Sequence, residues 1–246
     1  MFVDPYGDPD LVSLYDQDNP DGPDHDFFRS LADRLGARTI VDLGCGTGLL
    51  TRSLASPGRT VLGVDPSATM LSYAVAQPGA DRIIWVHGDA TAIPASGDAD
   101  LVISSGNAMM HVPPAELATT LTSVAASLRP GGSLAFDARN PPRRAWEEWT
   151  KAGTFSERVT SFGHLREWIE VTERDHEPGR VAFDAHNVID GGQDRVYSIV
   201  VHFRSPEELE AALTATGFAG VEIAGGWHGE PVTRESASVV VTARRP

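Results

Sequence analysis

Thr39-Ile40-Val41-Asp42-Leu43-Gly44-Cys45-Gly46-Thr47-Gly48-Leu49-Leu50 decides the reading of this chain. A short, mostly apolar run with β-branched residues passes into three glycines at alternate positions, and helical spacing resumes behind them. Glycines there permit backbone conformations closed to other residues and leave N–H groups uncovered at a helix start, so a ligand can approach the turn closely. A nicotinamide-binding fingerprint would place its third glycine at residue 49, which is Leu49, and the spacing therefore disfavours a dehydrogenase.

Outward from this loop, strand and helix patterns alternate. Strands are expected at Thr60–Val64, Ile83–Val86, Leu101–Ser104 and Ser133–Phe136, with helices near 48–56, 67–77 and 114–128. The last helix carries Leu117, Leu121, Val124 and Leu128 on one stripe, and Pro130-Gly131-Gly132 is read as its end. Parallel neighbours need crossovers, so this rhythm specifies an α/β fold, a doubly wound sheet covered on both faces. Before it, Phe27, Phe28, Leu31 and Leu35 predict a helix closing at Gly36. The aspartates, prolines and glycines of the first 25 or so residues predict turns and a flexible cap. Asp16-Gln17-Asp18-Asn19-Pro20-Asp21-Gly22 fails as a calcium loop, because proline holds the fifth position and glycine the seventh, and it is read as a solvated turn; no metal site is expected.

After about residue 145 the pattern becomes polar and apolar in alternation over Arg166–Thr172, Arg180–Val188 and Arg195–Phe203, an antiparallel meander solvated on one face. Ser205-Pro206-Glu207-Glu208 then opens a helix with an N-cap serine, proline at the first helical position and acids in the first turn, and two strands follow, Val221–Ile223 and Ser238–Thr242. The organisation expected is a single domain over residues 1–246, with a cap and helix at 1–36 and an antiparallel insertion at about 145–204.

Composition bounds the function. Hydrophobic residues at 41% and charged residues at 22% are ordinary globular usage. The single cysteine, the absence of a signal-like start and the lack of a long apolar run lead to the expectation of a cytoplasmic protein without membrane association. The net charge of −14, from 34 acidic and 20 basic residues, repels a phosphate backbone and argues against nucleic acid as partner. The basic pairs Arg143-Arg144 and Arg244-Arg245 are read as solvated ends.

Asp65 ends the second strand, where a carboxylate can accept from both hydroxyls of a ribose, and Asp89 ends the third, where an acceptor can meet an exocyclic amino group. Ligands of such sheets bind outside the carboxyl ends of the strands, so the two aspartates and the glycine loop point to an adenosine-type ligand.

With these residues, Val41–Gly48, Gly63-Val64-Asp65-Pro66-Ser67 with Met70-Leu71, Gly88-Asp89-Ala90, Asp100–Asn107 and Leu128–Gly132, the chain resembles the class I S-adenosylmethionine-dependent methyltransferases, small-molecule type, over about residues 35 to 140. The resemblance implies a Rossmann-like sheet of seven strands, the last antiparallel, and S-adenosyl-L-methionine as cofactor. It implies that the loop including Asp42 and Cys45 binds the cofactor, with Gly44, Gly46 and Gly48 flanking its methionine part. It further implies Asp65 on the ribose beside Pro66, Met70 near the adenine face, Asp89 and Ala90 at the base, and Ser105 and Gly106 at the amino group. Tyr15-Asp16 resembles an aromatic-acid pair that covers the cofactor in several small-molecule members.

Asn140-Pro141-Pro142-Arg143 is related to an Asn-Pro-Pro-aromatic motif of amino-group methyltransferases acting on nucleic acids and proteins. Here it follows the fifth strand and carries arginine in place of the aromatic residue, so it is read as a proline-containing loop. Methyl transfer from a sulfonium chiefly requires alignment, but a hydroxyl or ammonium acceptor must lose a proton. His111 is the candidate base, the alternative being that it packs or caps the next helix. Trp146, Trp149, Phe162, Trp168, His186, Tyr197 and Arg139 are candidates to line an acceptor pocket under the insertion. The readings left open are a methyltransferase acting on O or N of a small molecule, another reaction with the same cofactor, and a non-catalytic cofactor sensor; the chain is expected to be a monomer or homodimer.

Overall fold

A computed structural model describes residues 6–174 and 179–246. Its first sheet has seven strands: β1 (Thr39–Leu43), β2 (Thr60–Asp65), β3 (Ile84–His87), β4 (Ala99–Ser104), β5 (Leu128–Arg139), β10 (Ala219–Ala224) and β11 (Ser238–Arg244). They lie in the order β10-β11-β5-β4-β1-β2-β3. Pairing from β3 through β5 is parallel, and β11 runs antiparallel to both β5 and β10. A second sheet, β6 (Ser156–Thr160), β7 (Gly163–Arg174), β8 (Arg180–Ile189) and β9 (Arg195–His202), is antiparallel throughout and paired in sequence order.

The helices are α1 (Pro9–Asp18), α2 (Pro23–Arg34), α3 (Leu49–Leu54), α4 (Ala68–Val75), α5 (Pro114–Ser127), α6 (Lys151–Thr154) and α7 (Pro206–Ala215). α2 and α3 cover one face of the seven-stranded sheet, where Phe28, Leu31 and Leu54 meet Ile40, Leu101 and Ile103. On the other face, Leu121 and Val124 of α5 and Leu209 and Leu213 of α7 pack with Val41, Val102 and Leu134. Apolar residues on both faces of β1 and β4 are what a doubly covered parallel sheet requires. The expected N-cap at Ser205 is present and is part of a capping box, Ser205 and Glu208 each bonding the other's backbone N–H.

Three expectations are corrected. The N-terminal segment is not a run of irregular turns: α1 forms because the Asp8 carboxylate caps the N–H groups of Asp10 and Leu11, Pro9 fits the first turn, and Val12 and Leu14 are buried. Asp16 to Asp18 thus belong to a helix, and only the residues after it turn. The tripeptide Pro130-Gly131-Gly132 does not end α5, which stops at Ser127; it lies within β5, at a register irregularity against β4. The insertion has a fourth strand, β6, whose exposed residues gave little apolar alternation to read.

Among the described residues no helix is long and apolar enough to cross a membrane. Val171, Phe183 and Ile199 turn one face of the second sheet toward the core, beside Trp146 and Trp149.

Candidate functional site

The glycine loop leaves β1 and enters α3 with Gly44, Gly46 and Gly48 at φ of 76°, 53° and 71°. An L side chain is strained in this region, and two of the three positions are also filled: a Cβ at Gly44 would lie 2.7 Å from that of Ala108, and one at Gly48 would meet the Trp85 ring. Gly46 differs, because its nearest neighbour is the Met70 sulfur at 4.0 Å. At the end of β4, Gly106 repeats the pattern, with φ 66° and nothing within 4 Å. The two open positions lie on the rim just beyond the carboxyl ends of β1 and β4, which are neighbours in the sheet. Ser105 precedes Gly106 on the same rim.

Three buried carboxylates shape this edge. Asp65 accepts from the Gly46 N–H at 2.7 Å and the Ser67 N–H at 2.8 Å, tying the loop to the start of α4. Asp42 accepts from the Thr51 hydroxyl at 2.6 Å while its second oxygen has no partner. Burial pushes its pKa up to about 7, the Asp65 charge adding to the shift and the Thr51 bond opposing it. Asp137, on β5, accepts from the Asn107 N–H at 3.1 Å, and burial likewise pushes its pKa up to about 7. It holds a turn in which Asn107 itself takes φ 63°. The sequence reading missed Asp137; the available signal was a carboxylate inside the buried run Leu134-Ala135-Phe136-Asp137-Ala138.

Cys45 lies beneath the loop, and burial together with Asp42 and Asp65 holds its thiol well above its ordinary pKa, in the unreactive form. Pro66 accepts from His87 through its carbonyl at 3.0 Å when that nitrogen is protonated. Ser67 caps α4 by accepting from the N–H of Met70, whose side chain is buried. Asp89 is more exposed. One oxygen accepts from both the Thr91 N–H at 2.8 Å and the Thr91 hydroxyl at 2.6 Å, capping a short turn in which Ala90 is buried.

The N-terminal segment crosses this edge. The Ser67 hydroxyl donates to the Tyr6 carbonyl, the Thr69 hydroxyl to that of Gly7, and the Thr47 hydroxyl to Asp16. Tyr15 packs edge-on to Tyr6, and burial, with Asp65 and Asp16 nearby, raises its pKa. Tyr6 in turn lies 3.2 Å from His111 Nε2 through its hydroxyl. Neither Tyr6 nor this bond carries a pattern that sequence could reveal. His111 still reaches solvent, but surrounding protein desolvates it and His202 adds repulsion, so its pKa is lowered.

The candidate acceptor residues divide. Trp146 packs on Phe203 at 4.4 Å between centroids, Trp149 on Phe183 at 4.9 Å, and the Arg139 guanidinium lies 5.6 Å from the Trp149 ring. Tyr197 faces α1 and donates to Asp8 at 2.6 Å. Trp168 and His186 sit opposite one another one rung away, so strand alternation turns them to the outer face, where they stack 4.6 Å apart. They do not share the face that carries Val171, Phe183 and Ile199. Phe162 is exposed beside the β6–β7 turn. Asn140 is used structurally, its amide donating to the carbonyls of Thr233 and Ser236.

Residues 40–132 match the family model of a methyltransferase domain. The chain is 33% identical over 123 residues to glycine N-methyltransferase of Rattus norvegicus, covering 43% of this chain and 41% of that protein. It is 26% identical over 213 residues to the cypemycin N-terminal methyltransferase of Streptomyces sp, with 86% and 84% covered. The chain thus spans less than half the length of the glycine N-methyltransferases it matches. Among solved structures, the CcbJ methyltransferase from Streptomyces caelestis superposes with a TM-score of 0.75 at 21% identity, over 98% of this chain and 97% of that one. A sugar N-methyltransferase from Streptoalloteichus sp gives 0.72 at 21% identity, over 100% and 96%. Over residues 40–132 the chain thus matches a methyltransferase domain, and as a whole it has the fold of the class I S-adenosylmethionine-dependent methyltransferases.

Proposed function

We propose that this chain moves a methyl group from S-adenosyl-L-methionine to an oxygen or nitrogen of a small molecule. One observation carries the reading: Gly46 and Gly106, both at positive φ and with no protein atom closer than 4.0 Å to where a Cβ would stand, follow the carboxyl ends of the neighbouring strands β1 and β4, beside the buried carboxylates Asp65 and Asp137. The residues fit the cofactor. The glycine loop would admit its methionine part, Ser105 and Gly106 its amino group, Asp65 its ribose, and Met70, Asp89 and Ala90 its base, with Tyr15 covering it. The bound sulfonium supplies an electrophilic methyl carbon.

This chain's contribution is then alignment and exclusion of water. The segment from Tyr6 to Asp16 covers the edge, and His111 faces it with a lowered pKa, so its imidazole is neutral at pH 7 and able to take a proton from the acceptor. Relatives named as a glycine N-methyltransferase, a cypemycin N-terminal methyltransferase and a sugar N-methyltransferase support a nitrogen acceptor on a small molecule. The net charge of −14 supports a metabolite over nucleic acid, and the single cysteine suits a cytoplasmic setting. The chain acts as a monomer or homodimer in this reading.

The test is incubation with methyl-labelled S-adenosylmethionine and a cell extract. Label in the small-molecule fraction is the expected outcome; label confined to protein or nucleic acid, or bound cofactor without transfer, rejects the reading. His111→Ala is expected to lower turnover with little change in cofactor affinity, and equal turnover in the variant would reduce His111 to a structural residue.

A further inference from the structure

The arginines that meet the N-terminal helix and the loop after β4 are nearly all committed to partners. Arg195 binds Asp8 and Asp10, Arg158 binds Asp18, and Arg204 donates to the carbonyls of Met109 and Val112. Arg139 is not. It ends β5, two residues beyond Asp137, and its backbone N–H rests on the Met110 sulfur at 3.3 Å, which fixes it beside the segment carrying His111. Its guanidinium lies 5.6 Å from the centroid of the Trp149 ring, and among the described residues it has no hydrogen-bond or ion-pair partner. Trp149 cannot easily yield, because Phe183 and Phe203 pack against it at 4.9 and 6.0 Å between centroids. The guanidinium is therefore backed by a fixed aromatic wall on a residue that still reaches solvent.

We propose that Arg139 anchors an anionic oxygen group, a carboxylate or a phosphate, on the acceptor molecule. A guanidinium presents paired N–H donors in a rigid plane that matches two oxygens of either group, and an aromatic face behind it preserves that orientation without using the donors. Surrounding protein desolvates the side chain enough to lower its pKa, partly offset by the Asp137 charge, and an arriving anion would relieve that cost. The net charge of −14 gives an anionic molecule no general attraction, so a local cation at the end of β5 is what would hold one. The acceptor class that follows is a small molecule bearing both its nucleophile and an oxyanion. That the anion belongs to the methyl acceptor rests on the proposed transferase reading; that Arg139 binds an oxyanion does not.

The experiment titrates sodium acetate and, separately, inorganic phosphate into the full chain at constant ionic strength, with and without S-adenosylhomocysteine. The Trp149 indole N–H resonance, assigned through Trp149→Phe, reports occupancy. The expected result is a saturable shift with at least one anion, the anion that produces it naming the group, and an apparent Kd raised by about tenfold or more in Arg139→Gln. Arg139→Lys, which keeps the charge and loses the fork, should weaken binding severalfold and carries the test if the glutamine variant does not fold. Absence of a saturable shift with either anion, or equal affinity in both variants, overturns the proposal. A saturable, Arg139-dependent shift in a protein that does not bind S-adenosylhomocysteine would keep the anion site while removing the transferase reading.

Discussion

In the loop from Gly44 to Gly48 the chain is held by backbone: three residues at positive φ, buried carboxylates on backbone N–H groups, and the Trp85 ring occupying the space a side chain would need. In the insertion, the residues that face α1 are held by side chains reaching across: Tyr197 and Arg195 on Asp8, and Arg158 on Asp18. The first arrangement permits few substitutions and is rigid by geometry. The second is a set of separable contacts, each weaker, that ties a lid to the N-terminal helix. The difference implies that damage to the loop should be large and indivisible, while damage to the clasp should be graded.

The sharpest way to break this contrast is Gly48→Ala. Left-handed strain of about 1–2 kcal/mol adds to overpacking of about 1–3 kcal/mol against Trp85, so a loss of roughly 2–5 kcal/mol is expected in denaturant unfolding. Gly46→Ala shares the strain and meets only open space, so its stability cost should be about 1–2 kcal/mol while its effect on cofactor affinity is the greater of the two. Equal stability losses in the two variants would show that packing against Trp85 contributes nothing. For the carboxylate between them, Asp65→Ala should weaken S-adenosylmethionine binding by about 10- to 100-fold, corresponding to charged hydrogen bonds of about 1.5–3 kcal/mol. Calorimetry returning the wild-type affinity would reject its ribose role.

The buried carboxylates also give a pH signature. Asp42 and Asp137 have folded pKa values raised to about 7 from 3.8, so each holds its proton more tightly in the folded chain. Their contribution is most favourable below about pH 4, declines as pH rises toward about 7, and levels off beyond it. Asp137→Asn should flatten part of that decline, by roughly 1–3 kcal/mol between pH 4 and pH 8, in unfolding midpoints measured across the range. An unchanged slope would mean that Asp137 is ionised and solvated in the folded protein.

The same contrast explains what the sequence could reveal. The strands β1, β4 and β5 are apolar on both faces and bounded by glycine or a carboxylate, so their identity as strands follows from type and spacing alone. The same logic puts Asp65 and Asp89 at strand ends: Asp65 is the last residue of β2, whereas Asp89 lies two residues beyond β3, capping the turn that follows. Residues in the insertion could be recognised as alternating, but alternation has two faces, and nothing local says which turns inward; Trp168 and His186 go outward for that reason. At the N terminus the signals conflicted. Asp8-Pro9-Asp10 was read as turn chemistry, yet the same residues are a cap, a first helical proline and a first-turn acid, and the burial of Val12 and Leu14 decided between the two. Tyr6 on His111 and Asp8 on Tyr197 are contacts 105 and 189 residues apart, and no periodicity within the chain encodes them.

The clasp should yield in steps. Tyr197→Phe removes one hydroxyl from Asp8, whose pKa burial would raise but whose bonds to Tyr197 and Arg195 hold below the ordinary value; about 0.5–1.5 kcal/mol is expected to be lost. Arg158→Ala, at the other end of α1, should cost less, about 0–1 kcal/mol, because the pair with Asp18 is partly exposed and salt weakens it. Since the two contacts hold opposite ends of one ten-residue helix, they are far enough apart for their losses to add in the double variant. A double-variant loss well above the sum would show that α1 releases from the insertion as a unit, and the clasp would then be cooperative in the same sense as the glycine loop.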